Sequence, residues 1–466
     1  MTPIIFTIAA RNYTGYVRTL AASVRSAYPT APFVLFLADT EGDEALELGI
    51  DGAQVVPCAQ LDLPDLRRMA FAYTVTEFST AIKPSCFLWL LARYPGRPVI
   101  YLDPDIMVFR PLEPVEQAFR DGAEMVLTPH AIRPDERTLP PDARTILRGG
   151  TYNLGFLAVQ DAPEVHGLMR WWERRLHRDC RASLHEGLFV DQKWMEFAPS
   201  FVSRCHVARN PGLNVAYWNL GERRLEGDDG SGGGVTVDGE PLYFFHFSGF
   251  QPGDGGYRFC KYHDAFEQDQ PPALRQLATL YAARLAATAD DDAPPYGFGQ
   301  FADGSPVYEG DRLYFQHRAW DEHGDPFALG RAFFDAAAPE VPGTPVIPRL
   351  LYGIHLKWPE LQARFNLASE DGRRGLWRWF LDYGQRQEKA GTLAQAAPDL
   401  SEPAPPVIDT SVADAIRAET ERRLTELAAA VQERDQRLAA ITGSLSWRVT
   451  VPLRLLRRCL AVLRRR

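Results

Sequence analysis

The chain has 466 residues, a formal net charge of -9 and unremarkable apolar and charged fractions, the profile of a globular protein long enough for two or more domains. A generic nucleic-acid binder carries a basic footprint, so nucleic acid is not expected as a partner. The six cysteines, Cys58, Cys86, Cys180, Cys205, Cys260 and Cys459, form no CxxC pair; a zinc ribbon or thiol redox motif is not expected, and reduced core thiols are.

The opening MTPIIFTIAARNY lacks a basic leader region and its apolar run stops at Arg11. It reads as a first strand rather than a signal peptide. No stretch reaches the roughly 18 apolar residues of a membrane span, so a cytoplasmic protein is expected. PIIFTIAA is a short apolar run of the kind that forms a buried parallel strand. GYVRTLAASVRSAY follows at helical spacing, then PFVLFLAD and AQVVPC as strands, TEFSTAIKPSCFLWLLARY as a helix despite Pro84, and PVIYLDPDIMVF as the next strand. This alternation predicts a doubly wound α/β sheet.

Beyond Arg120, AEMVLTPH and GGTYNLGFLAVQ read as strands, EVHGLMRWWERRLHR and HEGLFVDQKWMEF as helices, and YFFHFSGF closes the first region. That gives a doubly wound α/β domain over residues 1–255 and a smaller, mostly helical module over 256–385. In this module PALRQLATLYAARLAA, LQARF and RRGLWRWFLDYG are helical and FGQFADGSPVY turns at Asp303-Gly304. Residues 386–411 are an Ala/Pro-rich linker. Over 412–444, Leu424, Val431 and Leu438 recur every seven residues, with Leu445 continuing the series and Leu427 and Ile441 at the second seam position, which Arg434 interrupts. This spacing predicts a coiled coil and, through it, a homo-oligomer. The tail 445–466 carries seven arginines and no acid among leucines and Trp447, a composition suited to an interfacial helix on anionic lipid.

Chemistry concentrates at YLDPDIMVF. Asp103 and Asp105 follow an apolar run, and in extended chain residues two apart face the same side. Two hard carboxylates at a strand end suit Mg²⁺ or Mn²⁺, which share their oxygen ligands with substrate phosphates, and ligands of such sheets bind beyond the strand carboxyl ends.

YLDPDIMVFRPL resembles the Asp-x-Asp segment of GT-A fold glycosyltransferases, above all the glycogenin and bacterial galactosyltransferase-like group (glycosyltransferase family 8). Further segments fit in order. FTIAARNYTGY is similar to the first strand and loop that grip the nucleoside, implying roles for Thr7, Ala9, Asn12 and Tyr13. FSTAIKPSCF resembles the helix whose lysine, Lys83 here, meets the donor diphosphate. YNLGFLAV matches the Asn-x-Gly strand (Asn153, Gly155), FVDQKW the Asp-Gln pair near the transferred sugar (Asp191, Gln192), and FFHFSGF the His-x-x-Gly segment (His246, Gly249). The resemblance implies that His246 completes the metal set with Asp103 and Asp105. Where the group continues into Lys-Pro-Trp, this chain reads FQPGDGGYRF, with Lys261 and Arg258 nearby. SLSWRVTVPLR resembles tails of bacterial surface-glycan glycosyltransferases.

The implied reaction moves a sugar from a nucleotide-diphosphate donor, a UDP-sugar by preference, to a hydroxyl of a glycan or lipid-linked acceptor, with retention at the anomeric carbon. An inverting route would need a base, for which Asp191 is the candidate. The basic tail would place the enzyme at the inner membrane surface. Two other readings are a sugar nucleotidyltransferase, whose Gly-rich phosphate loop is absent from TIAARNYTGYVR, and a non-catalytic membrane-associated scaffold.

Overall fold

Six consecutive buried residues, IIFTIA, form strand β1 (Ile4–Ala9), which lies inside the main sheet. Burial on both faces explains why β1 and β2 (Phe33–Leu37) read as continuous apolar runs rather than alternating ones. The computed structural model describes residues 2–384 except 43–47, 135–140, 228–233, 254–255, 263–269, 290–292 and 323, together with 397, 398 and 400. Met1–Pro398 forms one unit and Asp399–Arg466 another. The expected coiled coil and basic tail, and all but three positions of the linker, lie outside the described residues.

Strands β3 (Ala53–Pro57), β4 (Val99–Leu102), β6 (Met125–Pro129), β7 (Tyr152–Val159) and β10 (Cys205–Val207) complete a seven-stranded sheet of order β10-β6-β7-β4-β1-β2-β3. All its strands run parallel except β7, which pairs antiparallel with β4 and β6. The α/β architecture with a mostly parallel sheet is therefore as expected. A second ladder joins β5 (Ile106–Val108) to β14 (Phe244–His246), antiparallel. Helix α1 (Thr14–Ala27) follows β1, and α7 (Pro163–Asp179) buries Val165, Leu168, Met169, Trp172 and Leu176 along one stripe.

Two expected helices are built differently. TEFSTAIKPSCFLWLLARY divides into α3 (Val75–Ala81), opened by a Thr74–Glu77 capping box, and α4 (Lys83–Arg93). Pro84 has no N–H to bond the preceding turn and sits instead in the first turn of α4. HEGLFVDQKWMEF contains β9 (Leu188–Phe189) and a 3₁₀ turn, Lys193–Phe197, rather than one helix. Gly187 (φ 73°) and Val190 (φ 43°) adopt left-handed backbone, which no helix continues through.

The change of pattern near residue 256 marks a change of secondary structure within a shared core. Helix Pro272–Thr288 packs Tyr281 face to face on Phe247, centroids 3.8 Å apart, and Leu274 and Leu277 join the same apolar cluster. Further on, the buried Arg312 guanidinium donates to the carbonyls of Ala70, Phe71, Tyr73 and Phe298, fastening the helix Glu309–Tyr314, on which Arg349–Lys357 packs, to the Ala70–Tyr73 segment. The turn expected at Asp303-Gly304 is present, with Gly304 at φ 82° and Phe301 N–H donating to the Ser305 carbonyl at 2.8 Å.

Candidate active site

After β1 the chain adds β2 and β3 on one side, whereas β4 enters on the other side of β1. This reversal opens a crevice beyond the carboxyl ends of β1 and β4. The turn Arg11–Tyr13 follows the first strand and Asp103-Pro104-Asp105 the second.

Asp103 is fixed by its backbone N–H, which donates to the Gly155 carbonyl at 2.8 Å across the β4–β7 ladder. His246 arrives through the β14–β5 ladder, where it lies opposite Ile106, and the Phe247 N–H donates to the Asp105 carbonyl at 2.9 Å. One ligand atom from each of Asp103, Asp105 and His246 lies within 4.8 Å of the others. His246 Nε2 is 3.0 Å from Asp105 Oδ1 and 3.6 Å from Asp103 Oδ2. A Cβ added at residue 155 would stand 2.4 Å from His246 Cε1 and 2.8 Å from Asp103 Oδ2, so only glycine leaves that space free.

The charges around this cluster are strained in opposite senses. Burial raises the Asp103 pKa, against the pull of Lys83 and His246. Burial disfavours a charged His246, yet Asp105 and then Asp103 outweigh it and raise the imidazole pKa. A divalent cation relieves both effects at once. Two carboxylates and one imidazole make a donor set that fits Mn²⁺ or Mg²⁺. The His246 ring is oriented by edge-to-face contact with Trp218, centroids 5.2 Å apart, while its Nδ1 is buried without a hydrogen-bond partner.

The other expected residues form three groups, with Gly249 apart from them. Lys83 is buried: its ammonium lies 2.6 Å from Asp191 Oδ2, donates to the Leu154 carbonyl at 2.9 Å and covers the Tyr101 ring at 4.2 Å. Burial raises the Asp191 pKa and Lys83 opposes it. Asn153 and Gln192 belong to a buried amide layer. Gln192 Oε1 accepts from the Leu154 N–H (3.1 Å) and Asn153 Nδ2 (3.4 Å), and its Nε2 donates to the Gly149 carbonyl (2.7 Å). Asn153 Oδ1 accepts from the Gly155 N–H and from Asn214 Nδ2.

On the β1 side, Thr7 and Ala9 are buried and Asn12 is exposed. The Thr7 hydroxyl is buried without a hydrogen-bond partner. Tyr13, 37% exposed, stacks on Tyr16 at 4.2 Å. Desolvation and then the charge of Asp105 raise its phenol pKa. Gly249 has φ 76° and receives the Tyr262 ring, whose edge would lie 2.7 Å from an added Cβ; its carbonyl accepts from the Lys261 N–H at 2.9 Å. The segment that departs from the expected Lys-Pro-Trp thus returns Lys261 and Tyr262 to Gly249.

Sequence reasoning missed Tyr101, His130 and Asn214. The Tyr101 hydroxyl donates to Asp103 Oδ1; its position two residues before Asp103 in an extended strand was the available signal. His130 Nε2 faces Asn153 Nδ2 at 3.3 Å, and Asn214 holds Asn153 from a left-handed conformation, φ 50°. Neither carries a local motif.

No family model matches the chain. Over 254 residues it is 24% identical to the uncharacterized protein YfnF of Bacillus subtilis (strain 168), covering 54% of this chain and 82% of that protein. Over 250 residues it is 23% identical to YfnD of the same organism, covering 53% and 75%. Among solved structures it is similar to the galactosyltransferase LgtC in complex with donor and acceptor sugar analogs, with 16% identity, 62% and 97% coverage and a TM-score of 0.34. It is also similar to mouse xyloside xylosyltransferase 1, with 13% identity, 53% and 97% coverage and a TM-score of 0.34.

Proposed function

We propose that the protein is a metal-dependent glycosyltransferase that moves a sugar from a nucleotide-diphosphate donor, a UDP-sugar, to a hydroxyl of a glycan or lipid-linked glycan. The observation that carries this reading is the meeting of Asp103, Asp105 and His246 at one point beyond β4, cleared by Gly155. Asp103, Asp105 and His246 would hold Mn²⁺ or Mg²⁺, which when bound supplies positive charge against a diphosphate leaving group.

The protein's own groups do the rest. The turn Arg11–Tyr13 offers the half-exposed Tyr13 ring, stacked on Tyr16, for a nucleobase. Lys83 contributes a fixed positive charge behind the metal ligands, a preorganised field rather than a mobile side chain. The amide layer of Asn153 and Gln192 presents rigid polar groups toward the transferred sugar. Asp191 is buried and ion-paired with Lys83, which suits a positioning role and favours the retaining route, where the departing phosphate accepts the proton of the attacking hydroxyl.

A thermal-shift screen tests the reading. UDP with Mn²⁺ should stabilise the protein, UDP alone weakly, and nucleoside triphosphate with a sugar phosphate no better. Asp103→Ala and Asp105→Ala should abolish the UDP–Mn²⁺ shift and lower UDP-sugar turnover by at least about a hundredfold. Unchanged turnover in both variants, or pyrophosphate release from a triphosphate, would refute it.

A further inference from the structure

Four aromatic rings meet on the outer side of α7 and the turn that follows Gln192. Trp171 contacts Trp194, Phe197 and Phe201 at centroid distances of 5.8, 5.7 and 5.0 Å, and Phe197 stacks on Phe201 at 5.6 Å. Trp194 is anchored through its indole N–H to the Asp179 carbonyl at 3.2 Å. Phe197 is nevertheless 49% exposed and Phe201 42%. A single exposed ring needs no explanation, but a preformed cluster with two phenylalanines half in water marks an interaction surface.

Exposed arginines line the helix beside the rings, whereas the nearby carboxylates Glu164 and Glu196 are taken up by Ser203 and by Thr151 and Lys193. Arg170, Arg174 and Arg175 are exposed. Arg174 and Arg175 follow Trp171 by three and four residues, so they flank it along the same helix face. This basic, aromatic surface lies on a chain whose net charge is -9.

We infer that this face rests on a bilayer surface containing anionic phospholipid. Tryptophan and phenylalanine rings settle at the boundary between headgroups and acyl chains, while arginines meet lipid phosphates. Among the described residues no helix is long and apolar enough to cross a membrane. The turn Lys193–Phe197 joins the face directly to Gln192 in the chain. The membrane contact stands independently of the transferase reading.

The test is co-sedimentation of the full chain with phosphatidylcholine vesicles, with and without about one-third phosphatidylglycerol. Phe197→Ser with Phe201→Ser, and separately Arg174→Glu with Arg175→Glu, should each lower partitioning onto the anionic vesicles about tenfold, with the fold intact by circular dichroism at the assay temperature. As a check free of those substitutions, brominated lipid should quench the wild-type tryptophan emission, and Trp171→Phe should remove part of the quenching. Wild-type partitioning in both double variants would overturn the proposal and assign vesicle binding to other parts of the chain. Unchanged partitioning with a raised KM for a glycan acceptor would overturn it in favour of a sugar platform.

Discussion

Lys83 Nζ and Asp191 Oδ2 lie 2.6 Å apart, with side chains only 1% and 3% exposed. They are 108 residues apart in sequence by their numbers and come from α4 and the turn after β9. Taking both charges out of water costs several kcal/mol each, which their mutual attraction and the Leu154 carbonyl offset. Removing one partner strands the other. Lys83→Met or Asp191→Leu alone should lower stability by about 3–5 kcal/mol, and the two combined should recover much of that. Urea denaturation of the three variants checks it; strictly additive losses would contradict the pairing.

Gly155 lies against the Asp103–Asp105–His246 cluster. Gly155→Ala puts a methyl group within contact-forbidden range of both His246 and Asp103. The expected result is a loss of about 1–3 kcal/mol in stability together with weakened Mn²⁺ binding by calorimetric titration. Normal Mn²⁺ affinity in this variant would show that the ligands can part without consequence.

Tyr101 acts on the same cluster from behind, donating its hydroxyl to Asp103 while Lys83 sits over its ring. Tyr101→Phe keeps the ring and removes the hydrogen bond. Metal affinity should fall about 10- to 100-fold, the range seen when a ligand loses its outer partner, with the fold intact by circular dichroism.

His130 sets a pH dependence. Burial pushes its imidazole down to about 4, against weaker opposition from contacts with the Thr151 and Gly150 backbone. An unfolded histidine titrates near 6.5. Between those values the unfolded chain binds the extra proton, so stability rises with pH. The contribution is complete above about 6.5 and is lost as pH falls toward 4, an effect of about 3 kcal/mol. His130→Gln should flatten this part of the acid limb when urea midpoints are measured from pH 4 to 7.

Local sequence determined much of what surrounds the site. Continuous apolar runs such as IIFTIA and FVLFL reflect two-sided burial, and the Asp-x-Asp at the end of VIYL marks where that strand ends in two carboxylates. Those signals are local because strand burial and strand ends are local properties. Sequence alone misjudged the segment holding Asp191 and Gln192, since helical composition there yields to left-handed backbone at Gly187 and Val190.

Only the tertiary structure decided which partners meet. The β14–β5 ladder sets His246 beside Asp105, and the β4–β7 ladder sets Gly155 beside Asp103. The burial of Lys83 against Asp191, the hold of His130 and Asn214 on Asn153, and the gathering of Trp171, Trp194, Phe197 and Phe201 on one face likewise need elements far apart in the chain. Charge pairing, clearance and ring packing act over a few ångströms in space. A sequence records which residues are available for such contacts, and the folding of the sheet decides which of them come within that range.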